Sequence, residues 1–154
     1  MSLSGVSSRL SSDGTQPTLE LVKLDAVLET LRIVPAEQQH RSFIIGTWVK
    51  SYESQARRQG IPKDVYSKHE PPIAESRWDD CWVLTSDEDG YTVSGWVCGS
   101  DGRLWHCYVV PELRKLRIAT RLIEFACGGQ VKEYARPWPY AAHARVNPYL
   151  LRAK

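Results

Sequence analysis

An apolar run that ends at Pro111, with a basic helix-period segment starting at once behind it, constrains this chain more than any other feature. Leu104 to Val110 reads as a strand. Leu113, Leu116, Ala119, Leu122, Ile123 and Ala126 then recur at helical spacing, which predicts a helix from about Glu112 to Cys127. Arg114, Lys115 and Arg117 fall in its first turn and a half. Free backbone N–H groups and the positive end of the helix dipole make such a start an anion site. The expected ligand therefore bears phosphate. The plainer reading of the same cations is the solvated face of an amphipathic helix, continued by Arg121 and Glu124.

Bulk composition narrows the class. At 154 residues the chain is long enough for one domain with its own core. A hydrophobic share of 42%, a charged share of 25% and a net charge of +2 are ordinary for a globular protein, so total charge does not by itself argue for nucleic acid. Trp48, Trp78, Trp82, Trp96 and Trp105 sit in apolar or amphipathic segments and are expected in the core. Cys81, Cys98, Cys107 and Cys127 have no metal-ligand spacing. His106 beside Cys107 would point to the opposite face of a regular strand, so no metal site is expected. The four are read as buried, reduced thiols of a cytoplasmic protein. No apolar run approaches the ~18 residues of a membrane span, and no signal peptide is visible.

Along the chain, residues 1–18 read as a disordered tail rich in Ser and Gly, and 19–154 as a single domain. Leu19 to Leu31 fits helix or strand. Thr30 to Pro35 is a short strand closed by proline, and Glu37 to about Gln55 a helix with Phe43, Ile44, Trp48, Val49 and Tyr52 on one face. Lys63 to about His69 is a short helix, interrupted by Pro71 and Pro72. Three strands follow, Cys81–Thr85, Tyr91–Cys98 and Arg103–Val110, joined by a polar turn and a Gly/Asp hairpin, as an antiparallel meander. Gly128 and Gly129 cap the basic helix, and Gln130 to Tyr134 is a further strand.

This order and the local residues resemble the GNAT superfamily of N-acetyltransferases. The family's cofactor motif has Val-x-Pro at a strand end, then Gln or Arg three residues on. Glycine follows three later, Gly or Ala two after that, and a Leu with Ile or Leu beyond. Val109, Pro111, Arg114, Ala119, Leu122 and Ile123 match it, and Arg117 stands where the family prefers glycine. The chain also resembles small GNAT-like proteins encoded in tailed-phage genomes. The shared features are Phe43 to Tyr52, Gly95 with Trp96, His106, and Asn147 to Leu150. The resemblance implies an α+β GNAT fold with a mostly antiparallel central sheet, flanked by helices and splayed between strands four and five. It also implies a location in the host cytoplasm.

It further implies acetyl-CoA, or another acyl-CoA, as cofactor. The pantetheine arm would pair with strand four at Tyr108, Val109 and Val110. The pyrophosphate would rest on the backbone of Arg114, Lys115, Leu116, Arg117, Ile118, Ala119 and Thr120. Acyl transfer to an amine needs a base and an acid. His106 on the strand before the motif is the candidate base, against the plainer reading of a hydrogen-bonded sheet histidine. Its parity is open, since a bulge near the splay would reassign the faces of His106 and Tyr108. Tyr149 is the candidate acid, with Tyr140 the other option, against the plainer reading of packing or a capping hydroxyl for each. Glu75, Asp79 and Asp80 read as turn chemistry.

Three functions stay open on these residues. The first is an N-acyltransferase acting on a small-molecule or macromolecular amine, as monomer or homodimer. The second is a nucleobase-modifying transferase with Trp138 and Tyr140 holding nucleic acid. The third is a GNAT-shaped module without cofactor that binds nucleic acid or a host protein through Arg114, Arg117 and Arg121.

Overall fold

A computed structural model describes residues 29–86, 92–135, 145–147 and 150. Strand β1 (Leu31–Pro35) buries Leu31 and Ile33 and exposes Arg32, the alternation of a half-buried strand. Pro35 lies at its end, on the sheet edge, where a missing N–H costs no ladder bond. A 3-10 turn (Gln38–His40) leads into helix α1 (Arg41–Arg58). The buried ring of His40 accepts the Glu37 backbone N–H at 3.0 Å and so fixes the helix entry.

In α1 the buried stripe is Ile44, Trp48 and Tyr52, at i, i+4 and i+8. Helix α2 (Lys63–Ser76) runs straight through Pro71 and Pro72 rather than stopping before them. Ile73 and Ala74 behind the prolines are buried against α1. That packing outweighs two missing intrahelical bonds on a helix whose first two turns are mostly exposed.

A second 3-10 turn (Trp78–Asp80) opens the meander of β2 (Cys81–Ser86), β3 (Val93–Ser100) and β4 (Arg103–Val109). Asp101 and Gly102 close the β3–β4 hairpin with φ of 46° and 74°. Two positive angles match the twist of a two-residue turn. A third 3-10 turn (Pro111–Leu113) precedes helix α3 (Ile118–Cys127), which ends at Gly128 in the left-handed conformation. Short strands β5 (Glu133–Tyr134) and β6 (Arg145–Val146) complete the described chain.

The fold is α+β, with one six-stranded sheet in the order β1-β2-β3-β4-β5-β6. It is mixed rather than mostly antiparallel: β1 to β4 alternate in direction, whereas β5 lies parallel to β4 and β6 parallel to β5. For β5 the cause is α3, a crossover helix that returns the chain to the sheet in its original direction. Helices α1 and α2 cover one face over Val83, Trp96, Cys98 and Trp105. Helix α3 covers the other over Leu84, Val97, Leu104 and Val109. Trp48, Trp96 and Trp105 are core residues, as expected, while Trp78 and Trp82 are half-buried. Among the described residues no helix is long and apolar enough to cross a membrane.

All four thiols are unbridged and buried. Burial pushes the Cys107 thiol from 9.0 up to about 12, and the Cys127 thiol from 9.0 up to about 11. Unfolding returns both to their ordinary value, so the unfolded chain gives up these protons first as pH rises. Their stabilisation is complete below about pH 9 and is lost as pH climbs through 11 and 12. The urea midpoint is therefore expected to fall between pH 9 and pH 11, and Cys107→Ala should flatten that slope. An unchanged slope in the variant would assign the alkaline loss to other groups.

Candidate functional site

The register of β3 and β4 decides what the end of β4 offers. Cys98 pairs with His106 but Gly99 pairs with Leu104, so Trp105 is an extra residue in β4. This is a bulge, and it turns two adjacent side chains, Trp105 and His106, to the α1–α2 face. Beyond it the alternation resumes, with Tyr108 facing α1 and α2 and with Cys107 and Val109 facing α3. The Val110 N–H donates to the Ser94 carbonyl at 3.0 Å. Val110 and Tyr108 thus spend their backbone groups on β3, while those of Val109 and Cys107 point away from it.

Strand β5 reaches only Arg103 and Leu104, where the Ala135 N–H donates to the Leu104 carbonyl at 2.9 Å. The outer edge of β4 from Cys107 to Val109 therefore has no strand partner among the described residues. Of Tyr108, Val109 and Val110, only Val109 offers backbone groups on that edge. Cys107 offers the others; it shares the parity of Val109, and the resemblance named Tyr108 to Val110 without it.

The segment after Pro111 is a loop, not the first turns of a helix. Arg114 is extended (φ −73°, ψ 158°), Lys115 and Arg117 have φ of 67° and 60°, and α3 begins at Ile118. Leu113 and Leu116 still pack into the α3-side core, which is why they mimic the helical stripe that follows. The first-turn amides of Ile118, Ala119 and Thr120 have no intrahelical acceptor. Leu116, Ile118 and Ala119 turn their side chains inward, so they can meet a ligand only through the backbone. Arg114, Lys115, Arg117 and Thr120 are exposed around them.

Arg114 is tied down. Its Nε donates to the Val109 carbonyl at 2.9 Å, and its guanidinium lies 5.6 Å from the centre of the Tyr108 ring. Arg117 occupies the left-handed region, which costs a residue with a Cβ about 1–2 kcal/mol. Arg117→Gly is therefore expected to stabilise the fold by about 1 kcal/mol in urea denaturation. A loss of stability would mean that the guanidinium holds the loop.

His106 is buried, at 6% exposure, in a box of aromatic rings. Its centre lies 4.9 Å from that of Tyr52, 5.2 Å from Trp96 and 5.6 Å from Trp48. The Tyr52 hydroxyl lies 3.0 Å from His106 Nδ1. Behind it, Trp48 Nε1 donates to Glu70 Oε2 at 3.1 Å, and Glu70 is 1% exposed. Neither Tyr52 nor Glu70 was singled out as polar from the sequence. Tyr52 reads as one more apolar position of a helix, and Glu70 as an ordinary helix carboxylate. Tyr149, Tyr140 and Trp138 lie outside the described residues. Glu75 pairs with Arg41, and Asp79 and Asp80 belong to the turn before β2. No group of three or more metal-ligating side chains occurs among the described residues.

No family model, curated protein or solved structure matches the chain.

Proposed function

We propose that the protein is an acyl-CoA-dependent N-acyltransferase, with acetyl-CoA the expected donor. One juxtaposition carries this reading: the outward backbone of Cys107 and Val109 runs straight into a cationic loop that ends on the free amides of α3. A ligand with amides at one end and a diphosphate at the other fits that sequence of groups. Its amides would pair along the β4 edge, and its phosphates would meet the first-turn N–H groups and the side chains of Lys115 and Arg117. The left-handed backbone at Arg117 accounts for a family preference for glycine there. The arginine keeps the same backbone shape and adds a cation.

Acetyl-CoA supplies a thioester whose carbonyl an acceptor amine attacks. In this chain the Arg114–Val109 contact must open for an arm to pair with Val109, which frees a guanidinium for the phosphates. His106 is too enclosed to meet the amine itself. Tyr52 is buried as well, so a proton from the acceptor would reach the pair through water, with the Tyr52 hydroxyl and His106 Nδ1 as a relay in this reading. Tyr149 keeps its role as candidate acid for the departing thiolate.

Acetyl-CoA or CoA at millimolar concentration is expected to raise Tm by several degrees. Lys115→Glu with Arg117→Glu should remove the shift and leave the unliganded Tm nearly unchanged, since both side chains are exposed. No shift with the native chain would sink the proposal. The Arg114 bond to the Val109 carbonyl favours a second reading, because it fills the edge acceptor that an arm would use. In that case the loop is a basic surface for nucleic acid, and DNA binding that weakens steeply with salt would appear without any response to CoA.

A further inference from the structure

Helix α1 carries a cleft of about 410 Å³ whose lining includes none of the residues named at the β4 edge or in the loop behind Pro111. The apolar part of its described lining is Gly46, Val49 and Ile61. The rest of the lining is charged: Lys50, Glu53 and Arg57 of α1, and Lys63 at the start of α2. Lys63 Nζ lies 3.2 Å from Glu53 Oε1, and an Arg57 guanidinium nitrogen lies 3.8 Å from the same oxygen. One carboxylate thus gathers two cations. With Lys50 the described lining holds three positive groups and one negative, a surplus of two.

Gly46 is the second observation. It stands inside an 18-residue helix, where glycine is the poorest former after proline. A Cβ built on it would meet nothing within 4 Å, so no packing within the described fold requires its absence. Among the described residues, Gly46 borders the cleft. A glycine at such a place suits close approach of a ligand to the backbone.

We propose that this cleft binds an amphiphilic carboxylate, an acyl chain ended by an ionised acid. The chain would lie over Gly46, Val49 and Ile61. The acid would join Glu53 between Arg57 and Lys63, turning a cluster of two cations and one anion into a balanced one. The volume falls in the range of small-molecule sites, and the cleft spans about 16 Å of helix from Gly46 to Arg57. Among the described lining residues there is no aromatic ring. This site does not rest on the acyl-CoA reading.

The test is calorimetric titration of the full chain with decanoate below its micellar concentration, with decanol and decyltrimethylammonium as headgroup controls. Decanoate is expected to bind one per chain, and the two controls at least tenfold more weakly. Gly46→Trp, which fills the cleft, should weaken decanoate at least tenfold while Tm stays near the native value. Glu53→Gln should tighten it severalfold, because it removes the competing anion. If Gly46→Trp fails to fold, Arg57→Glu with Lys63→Glu reads the same loss, since those side chains are 80% and 78% exposed. Absent decanoate binding, equal binding of the three headgroups, or unchanged binding by the filled cleft would each overturn the proposal.

Discussion

Trp48→Ala is expected to cost the fold about 3–5 kcal/mol, with the value near the top of that range. The indole is 1% exposed and stacks on Trp96 with ring centres 5.5 Å apart and planes 7° from parallel. Removing it leaves a cavity between α1 and the middle of the sheet, which rigid neighbours on both sides cannot fill. It also takes the Nε1 donor from Glu70 in a buried setting, where a lost partner adds about 1–3 kcal/mol. Urea denaturation checks the loss at constant m-value, and the circular-dichroism couplet of the stacked indoles should vanish with it. A cost near 1 kcal/mol would show that α1 resettles onto the sheet.

Gly95→Val should come second, and Gly95→Ala should already show the sign. A Cβ on Gly95 would sit 2.8 Å from the Tyr108 carbonyl oxygen and 3.4 Å from Leu122 Cδ1. The first is backbone and cannot rotate away, so β3 and β4 must separate where the bulged strand approaches its edge. Overpacking of this kind costs about 1–3 kcal/mol for a methyl, and valine exceeds it. The contrast with Gly46 is direct, since alanine there meets open space and should stabilise α1. If Gly95→Ala proves neutral, the β3–β4 spacing is softer than the ladder suggests, and the β4 edge is less rigid than a cofactor platform needs.

Much of this architecture is legible in the residues. Alternation at Leu31, Arg32 and Ile33, the Asp101–Gly102 turn, the stripe of Leu122 and Ile123 and the Gly128 cap each rest on short-range chemistry, and the structure agrees with them. Three features were not legible. Pro71 and Pro72 mark a helix end by local rule, yet α2 continues because Ile73 and Ala74 bury against α1. Leu113 and Leu116 keep helical spacing while standing in a turn and a loop, since core contact rewards a buried side chain whatever its backbone. The bulge at Trp105 has no signature in composition, and it alone sets which way His106 and Cys107 face.

The residues alone determined the succession of elements from β1 to β5, the burial of Trp48, Trp96 and Trp105, and the cluster of cations behind Pro111. Each follows from periodicity, turn chemistry and charge within about twenty neighbours. Only the tertiary structure decided that those cations stand on a loop, that β5 returns parallel, that Cys107 to Val109 have no strand partner among the described residues, and that His106 closes against Tyr52 instead of facing solvent. Those outcomes depend on contacts between residues as far apart as the 54 positions from Tyr52 to His106, and no local pattern carries such distances.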